Sequence, residues 1–323
     1  MVPSHHDRFR KFIDIQRHPD MGGNPFELFA PHARIDVVHP FNRCTRDGYR
    51  EMLEALKQAF SGLYRRDDIV MSGAFEGSDW ISSTGYYVGR FSGPWIGLRP
   101  SGELAYLRFG EFHRFEDGLA VESYVFLDIP ELMIATGQWP IESGPGETPG
   151  YRGMIHGPAT QDGLTWPRDS ARGTKSAQMV TDMLRKLNTP DEAWRPYWHK
   201  NMMWFGPGAF GSFIGVDAFR SFQVPFEGQF EGWSGGAAGN GMTAHFTRFG
   251  DGDYVCSGGW PSLTGVNVEP FLETEATKER VFMRVCDWWR REDDLLVENW
   301  VFVDVPHVLL QLGRDVLAEA QTL

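Results

Sequence analysis

ENWVFVDVP, residues 298–306, repeats ESYVFLDIP, residues 122–130, almost word for word. Widened, the match lays RREDDLLVENWVFVDVPHVLLQLG (290–313) over RFEDGLAVESYVFLDIPELMIATG (114–137) without a gap, and eleven of the twenty-four positions agree. Average residue usage would give about one or two. Upstream, LRFGEFH lies over MRVCDWW, pairing Arg108 with Arg284. Further back, FEGSDWISSTGY lies over FGDGDYVCSGGW, pairing Asp79 with Asp253 and Tyr86 with Trp260. One unit is written twice, and a repeat of this length governs every later assignment.

The order of elements repeats too. NPFELFAP places Asn24 as a cap, Pro25 at the first helical position and Glu27 three residues after the cap; TPDEAWRP does the same with Thr189, Pro190 and Glu192. Both predict a capping box at a helix start. Short apolar strands follow, IDVVHP (35–40) and MMWFGP (202–207), then helices DGYREMLEALKQAF and GVDAFRSFQVPF, then three or four strands. HDRFRKFIDIQRH and KSAQMVTDMLRKL (175–187) read as the helices that open the copies. The late strands alternate, with Tyr124, Phe126 and Asp128 on one face and Ser123, Val125 and Leu127 on the other.

Helices grouped before an antiparallel sheet predict an α+β fold, a sheet curled around a helical face. The expectation is two tandem cone-like α+β barrels joined as an intramolecular pseudo-dimer, with the aromatic outer faces of both sheets buried on each other. The boundaries read 1–140 for a first domain, 141–174 for a Gly/Pro-rich linker and 175–323 for a second domain.

Composition narrows the partners. The formal charge of −12 disfavours nucleic acid and anionic membranes, which reward basic patches. Aromatic residues make up 14% of the chain, which fits either two dense aromatic cores or aromatic-lined ligand cavities. Cys44, Cys256 and Cys286 are odd in number and scattered, so neither a disulfide framework nor a CxxC metal site is expected. The opening MVPSHHDRFRKF lacks an apolar signal core, and no apolar run is long enough for a bilayer, so a soluble cytoplasmic protein is expected. The histidines lack metal-ligand spacing, and the Gly-rich GPGAFG and GWSGGAAGNG lack the Lys-Ser/Thr of a phosphate loop.

HRFEDGLAVESYVFLD, WRREDDLLVENWVFVD and MMWFGPGAFGSFIGVDAFRSFQVPF together resemble the SnoaL-like polyketide cyclase group of the nuclear transport factor two-like superfamily, once in each half. The resemblance implies ring closure by intramolecular aldol chemistry, with no cofactor and no metal, and a pocket acid moving a proton beside a carbonyl. It also places Val125 and Val301 where the family carries its catalytic aspartate, and neither side chain can move a proton. Asp128 and Asp304 fall on a later, often acidic position.

Strand alternation points Phe109, Glu111 and His113 into the first cavity and Arg108, Phe112 and Arg114 outward. Glu111 is the expected general base, with His113 and with His39 of VVHPFN assisting; a satisfied polar cluster of Glu111 and His113 with an Arg is the competing reading. Trp80, Tyr86, Trp95 and Val125 are candidate substrate contacts in the first copy, and Trp204, Trp260, Asp287, Trp289 and Val301 in the second. The carboxylates Glu122, Asp128, Glu298 and Asp304 share a face with aromatic residues and read as part of the seam between the halves.

Two functions follow from these residues. One is a cofactor-independent proton-transfer enzyme (aldol cyclase, isomerase or dehydratase) acting on a small apolar or aromatic carbonyl compound. The other is a non-catalytic ligand-binding or scaffolding protein. The chain would be a monomer with pseudo-dimeric halves, or a homodimer.

Overall fold

The computed structural model describes residues 4–18, 22–146, 149–153, 156–187, 191–235 and 245–323. The first unit runs α1 (His5–Arg17), β1 (Phe29–Val37), β2 (Asn42–Cys44), α2 (Arg46–Ala59), β3 (Phe60–Phe75), β4 (Ser78–Phe91), β5 (Leu104–Glu116), β6 (Leu119–Leu127) and α3 (Ile129–Ala135). The second repeats it as α4 (Ser170–Leu184), β7 (Trp198–Phe205), β8 (Ser212–Ile214), α5 (Val216–Gly228), β9 (Phe230–Gly235), β10 (His245–Asp251), β11 (Tyr254–Asn267), β12 (Arg280–Glu292), β13 (Leu295–Val303) and α6 (Val305–Gln311), then adds α7 (Val316–Ala320).

One sheet is ordered β2-β1-β6-β5-β4-β3, the other β8-β7-β13-β12-β11-β10 with β9 also on β11. Both sheets are mixed rather than purely antiparallel: β1 lies parallel to β6 and β7 parallel to β13. The reason is topological. An antiparallel meander folds back on itself, and the long connection through α2 or α5 lets the first strand lie along the last in the same direction. The fold is two tandem α+β units.

The first predicted capping box does not form. Asn24 does cap, accepting the Phe26 amide at 3.0 Å, but the segment Pro25–Leu28 is one tight 3₁₀ turn that passes directly into β1. Glu27 turns outward to Lys11 at 2.8 Å. In the second copy Thr189 and Pro190 lie outside the described residues, and Glu192 accepts from Arg220 at 2.7 Å beside a short turn at Arg195–Tyr197. The helix α4 starts at Ser170, ahead of the expected 175, because Asp169 caps it by accepting the Arg172 amide at 2.9 Å.

The outer faces of the sheets form the seam. Phe112 of β5 stacks on Trp288 of β12 at 4.8 Å, and Tyr124 of β6 lies flat on Phe246 of β10. Trp260 packs edge-on against Phe126, and Arg108 sits 4.6 Å over the Phe302 ring. Gly110 is required here: a Cβ would stand 2.6 Å from Trp288 Cη2. The twin aspartates of the repeated phrase tie the halves reciprocally. Asp128 accepts the Gly208 amide at 3.0 Å, and Asp304 accepts the His39 amide at 2.9 Å. The connecting segment is built into this seam, since Trp300 donates to the His156 carbonyl at 2.7 Å and Val70 to that of Gly163 at 2.9 Å. Among the described residues no helix is long and apolar enough to cross a membrane.

Candidate functional site

A cavity of about 550 Å³ lies inside the second unit between α4, α5 and the concave face of its sheet. The helix α5 presents Phe219, Phe222 and Phe226 at helical spacing, so three rings share the face turned to the sheet. Opposite them stand Trp204 of β7, Trp289 of β12 and Val301 of β13. Polar residues interrupt these walls: His245, Ser262, Asp287 and Asn299 on and beside the sheet's inner face, with Arg185, Gln223 and Ser234 elsewhere in the lining. A mostly apolar pocket with a few convergent polar groups is the usual form of a small-molecule site.

Asp287 sits on β12 directly opposite Ser257 of β11 and Val301 of β13. Its only hydrogen bond among the described residues is a long one, 3.4 Å from Asn299 Nδ2, and no cation pairs with it there. Burial in this apolar cavity raises its carboxyl to about 7, with the Asn299 contact opposing only weakly. His245 places Nδ1 against the Ser257 hydroxyl and Nε2 at 2.9 Å from that of Ser262. Burial, then the charge of Arg248, lower the imidazole to about 3, so it stays neutral, donating at one nitrogen and accepting at the other.

The same register in the first unit holds different chemistry. Asp67 lies opposite Gly85 just before a bulge, as His245 lies opposite Gly259 before a bulge. Ser83 lies opposite Glu111, as Ser257 lies opposite Asp287. Even the hydrogen bond persists, with Ser83 donating to Asp67 Oδ1 at 2.6 Å where Ser257 meets His245. Into this position the first unit inserts Arg65, whose Nη2 contacts Glu111 Oε1 and reaches Asp67 Oδ1 at 2.7 Å. Burial alone would raise the Glu111 carboxyl, but Arg65 and then His113 override it and hold it at about 2.

Glu111 and His113 therefore form a closed ionic cluster: both are buried, His113 Nδ1 is 2.8 Å from the Ser123 hydroxyl, and neither lines a described cavity. A fully ionised carboxylate locked to a guanidinium is a poor general base, and the expectation for Glu111 is corrected accordingly. His39 is also elsewhere, with its backbone amide on Asp304 at the seam. Trp80 stacks on Phe246, and Trp260 packs tilted on Tyr124 and edge-on against Phe126, both at the seam. Tyr86 packs with Tyr106 on the outer face, Trp95 packs on Phe41, and Val125 is buried in the first core. Four expected contacts do share one cavity: Trp204, Asp287, Trp289 and Val301.

His245, Ser262 and Asn299 escaped the sequence reading. His245 follows a Gly-rich stretch that obscures its alignment with Asp67, and only the shared bulge makes the two equivalent. Asn299 was visible as the change from ESY to ENW inside the repeated phrase. Among the described residues no group of three or more His, Cys, Asp or Glu side chains is placed to hold a metal ion.

No protein-family model matches the chain, and no curated protein does. Solved structures do. AclR of Streptomyces galilaeus, a proposed hydroxylase, aligns at 18% identity over 42% of this chain and 97% of its own, with a TM-score of 0.35. IdmH of Streptomyces antibioticus, a proposed polyketide cyclase, aligns at 18% identity over 42% and 98%, with a TM-score of 0.33. A proposed SnoaL-like polyketide cyclase from a Jannaschia species aligns at 20% identity over 41% and 90%, with a TM-score of 0.35.

Proposed function

We propose that the second unit is the working half of a cofactor-independent proton-transfer enzyme acting on a largely apolar carbonyl compound, with Asp287 as general base and acid. The observation that carries this reading is the Asp287 carboxyl, raised to about 7 in an aromatic cavity with no paired cation among the described residues. A carboxyl poised there divides between base and acid at neutral pH, where proton shuttling is most efficient.

The step balances without a co-reactant. The carboxylate takes a proton from the carbon beside the substrate carbonyl, the C–H electron pair moves into the enolate, and its oxygen gains negative charge. With the neutral His245 donating from Nε2 to Ser262 Oγ, the Ser262 hydroxyl is the donor directed to that oxygen. Asp287 then returns the proton to carbon or to the enolate oxygen; alternatively the enolate carbon attacks a second carbonyl of the same molecule, whose oxygen becomes an alkoxide and takes the proton back from Asp287. The aromatic walls hold a flat substrate and exclude water.

Proton exchange tests this directly. 2-Tetralone in D₂O is followed by proton NMR with wild-type protein, Asp287→Asn and Glu111→Gln. The reading requires enzyme-dependent loss of the signal beside the carbonyl, abolished in Asp287→Asn and retained in Glu111→Gln. Binding without exchange in the wild type would instead favour the non-catalytic ligand-binding function.

A further inference from the structure

The first unit holds a second cavity, about 260 Å³, beneath α1 and α2. Ile15, Leu53, Leu56 and Leu63 give it aliphatic walls, while Gln16 of α1, Arg65 of β3 and Tyr87 of β4 bring polar groups into the lining. It is separate from the Asp287 cavity, with which it shares no lining residue.

These polar groups are unevenly satisfied. Arg65 Nη2 is held closely by Asp67 and Glu111, but Nη1 makes only long bonds, 3.4 Å to Tyr87 Oη and 3.4 Å to Glu111 Oε2. Gln16 Oε1 accepts the Tyr87 hydroxyl at 3.3 Å, and Gln16 Nε2 is buried with no hydrogen-bond partner among the described residues. A buried donor left unmatched is costly, and an acceptor brought by a ligand removes that cost. Two donors that lack good acceptors thus meet at a cavity walled mainly by hydrocarbon, with the exposed Glu54 and Lys57 also in its lining.

We propose that this cavity is a second ligand site, taking a small neutral carbonyl compound with an aliphatic body. Its oxygen accepts from Gln16 Nε2 and Arg65 Nη1, and its chain lies along the leucines. Charge selects a neutral ligand: Arg65 and Arg17 are already matched by Asp67 and Glu111, the exposed Lys57 and Glu54 of the lining carry opposite charges, and a carboxylate would be a further anion in that field. Size selects a short one. At ~30 Å³ per water-sized group, the volume holds on the order of nine non-hydrogen atoms, about that of a seven-carbon ketone. The site stands independently of catalysis at Asp287.

Methyl-labelled full-length protein titrated with 2-heptanone and, separately, heptanoate tests the proposal by NMR. The Ile15 and Leu53 methyls should shift on adding 2-heptanone, with heptanoate at least tenfold weaker. Gln16→Leu should weaken binding at least fivefold, and Leu53→Trp should abolish it. If Leu53→Trp does not fold, Gln16→Leu alone decides, because Gln16 is half-buried on a helix. Unmoved Ile15 and Leu53 methyls at saturating ketone, shifts confined to the second cavity, equal or tighter heptanoate binding, or unchanged affinity in Gln16→Leu would each overturn it.

Discussion

Glu111 and Asp287 occupy the same register position in the two sheets, one facing the Arg65 guanidinium and the other an aromatic cavity without a paired cation among the described residues. Burial acts upward on both carboxyls. Arg65, followed by His113, decides the sign, so one fold position becomes a structural ion in the first copy and a neutral-range acid in the second.

The Asp287 rate profile follows from its base role. Exchange into 2-tetralone should rise as pH increases through about 7 and level off above it, because only the carboxylate accepts a proton. Asp287→Asn should lower the rate at pH 8 by at least 100-fold while leaving 2-tetralone binding in place, measured by NMR and calorimetry.

Stability should respond to the same carboxyl with a definite sign. A folded value raised to about 7 favours the protonated form, so its stabilising effect is complete below about pH 4 and is lost as pH rises through 7. Asp287→Asn should therefore stabilise the protein at pH 8, by on the order of 1–3 kcal/mol, and change little at pH 4. Denaturant midpoints at the two pH values check it.

Glu111→Gln should do the opposite. Removing it leaves Arg65 short of one buried partner, a loss of about 3–5 kcal/mol at neutral pH. Because the Glu111 carboxyl is depressed to about 2, its contribution is present above the unfolded value and declines as pH falls toward 2. The gap between wild type and variant should narrow over that range in urea melts.

The seam should couple the two units. Trp288 stacks on Phe112 and donates to the Ser82 hydroxyl at 3.2 Å. Trp288→Ala should cost about 3–5 kcal/mol, and calorimetry should show one unfolding transition broadening or splitting into two. Gly110→Ala, which forces a Cβ against the same ring, should destabilise in the same direction by about 1–3 kcal/mol.

Much of this architecture was legible in the repeat. The twin phrase located β6 and β13, and alternation correctly turned Tyr124 and Phe126 to the seam and Glu111 and His113 inward. Alternation gives a side, not a neighbour. A satisfied cluster with an arginine is the competing sequence reading, but Arg65 lies far from Glu111 in sequence and meets it only because β3, β4 and β5 are adjacent, so nothing local names it as the partner. Asp287 carries the same pattern signal, but Trp289 stands where the first copy has His113, so the sequence offers it no partner base beside it. That aromatic replacement is part of what leaves its carboxyl in an apolar setting. Glu27 failed as a capping residue for a simpler reason: the chain enters β1 after one turn, before a helix can form.

The most direct test is a carboxyl ¹³C titration of Asp287 and Glu111 in the intact chain. The account predicts a midpoint near 7 for Asp287 and no titration of Glu111 between pH 4 and 9. An Asp287 midpoint near 4, the ordinary aspartate value, would contradict it.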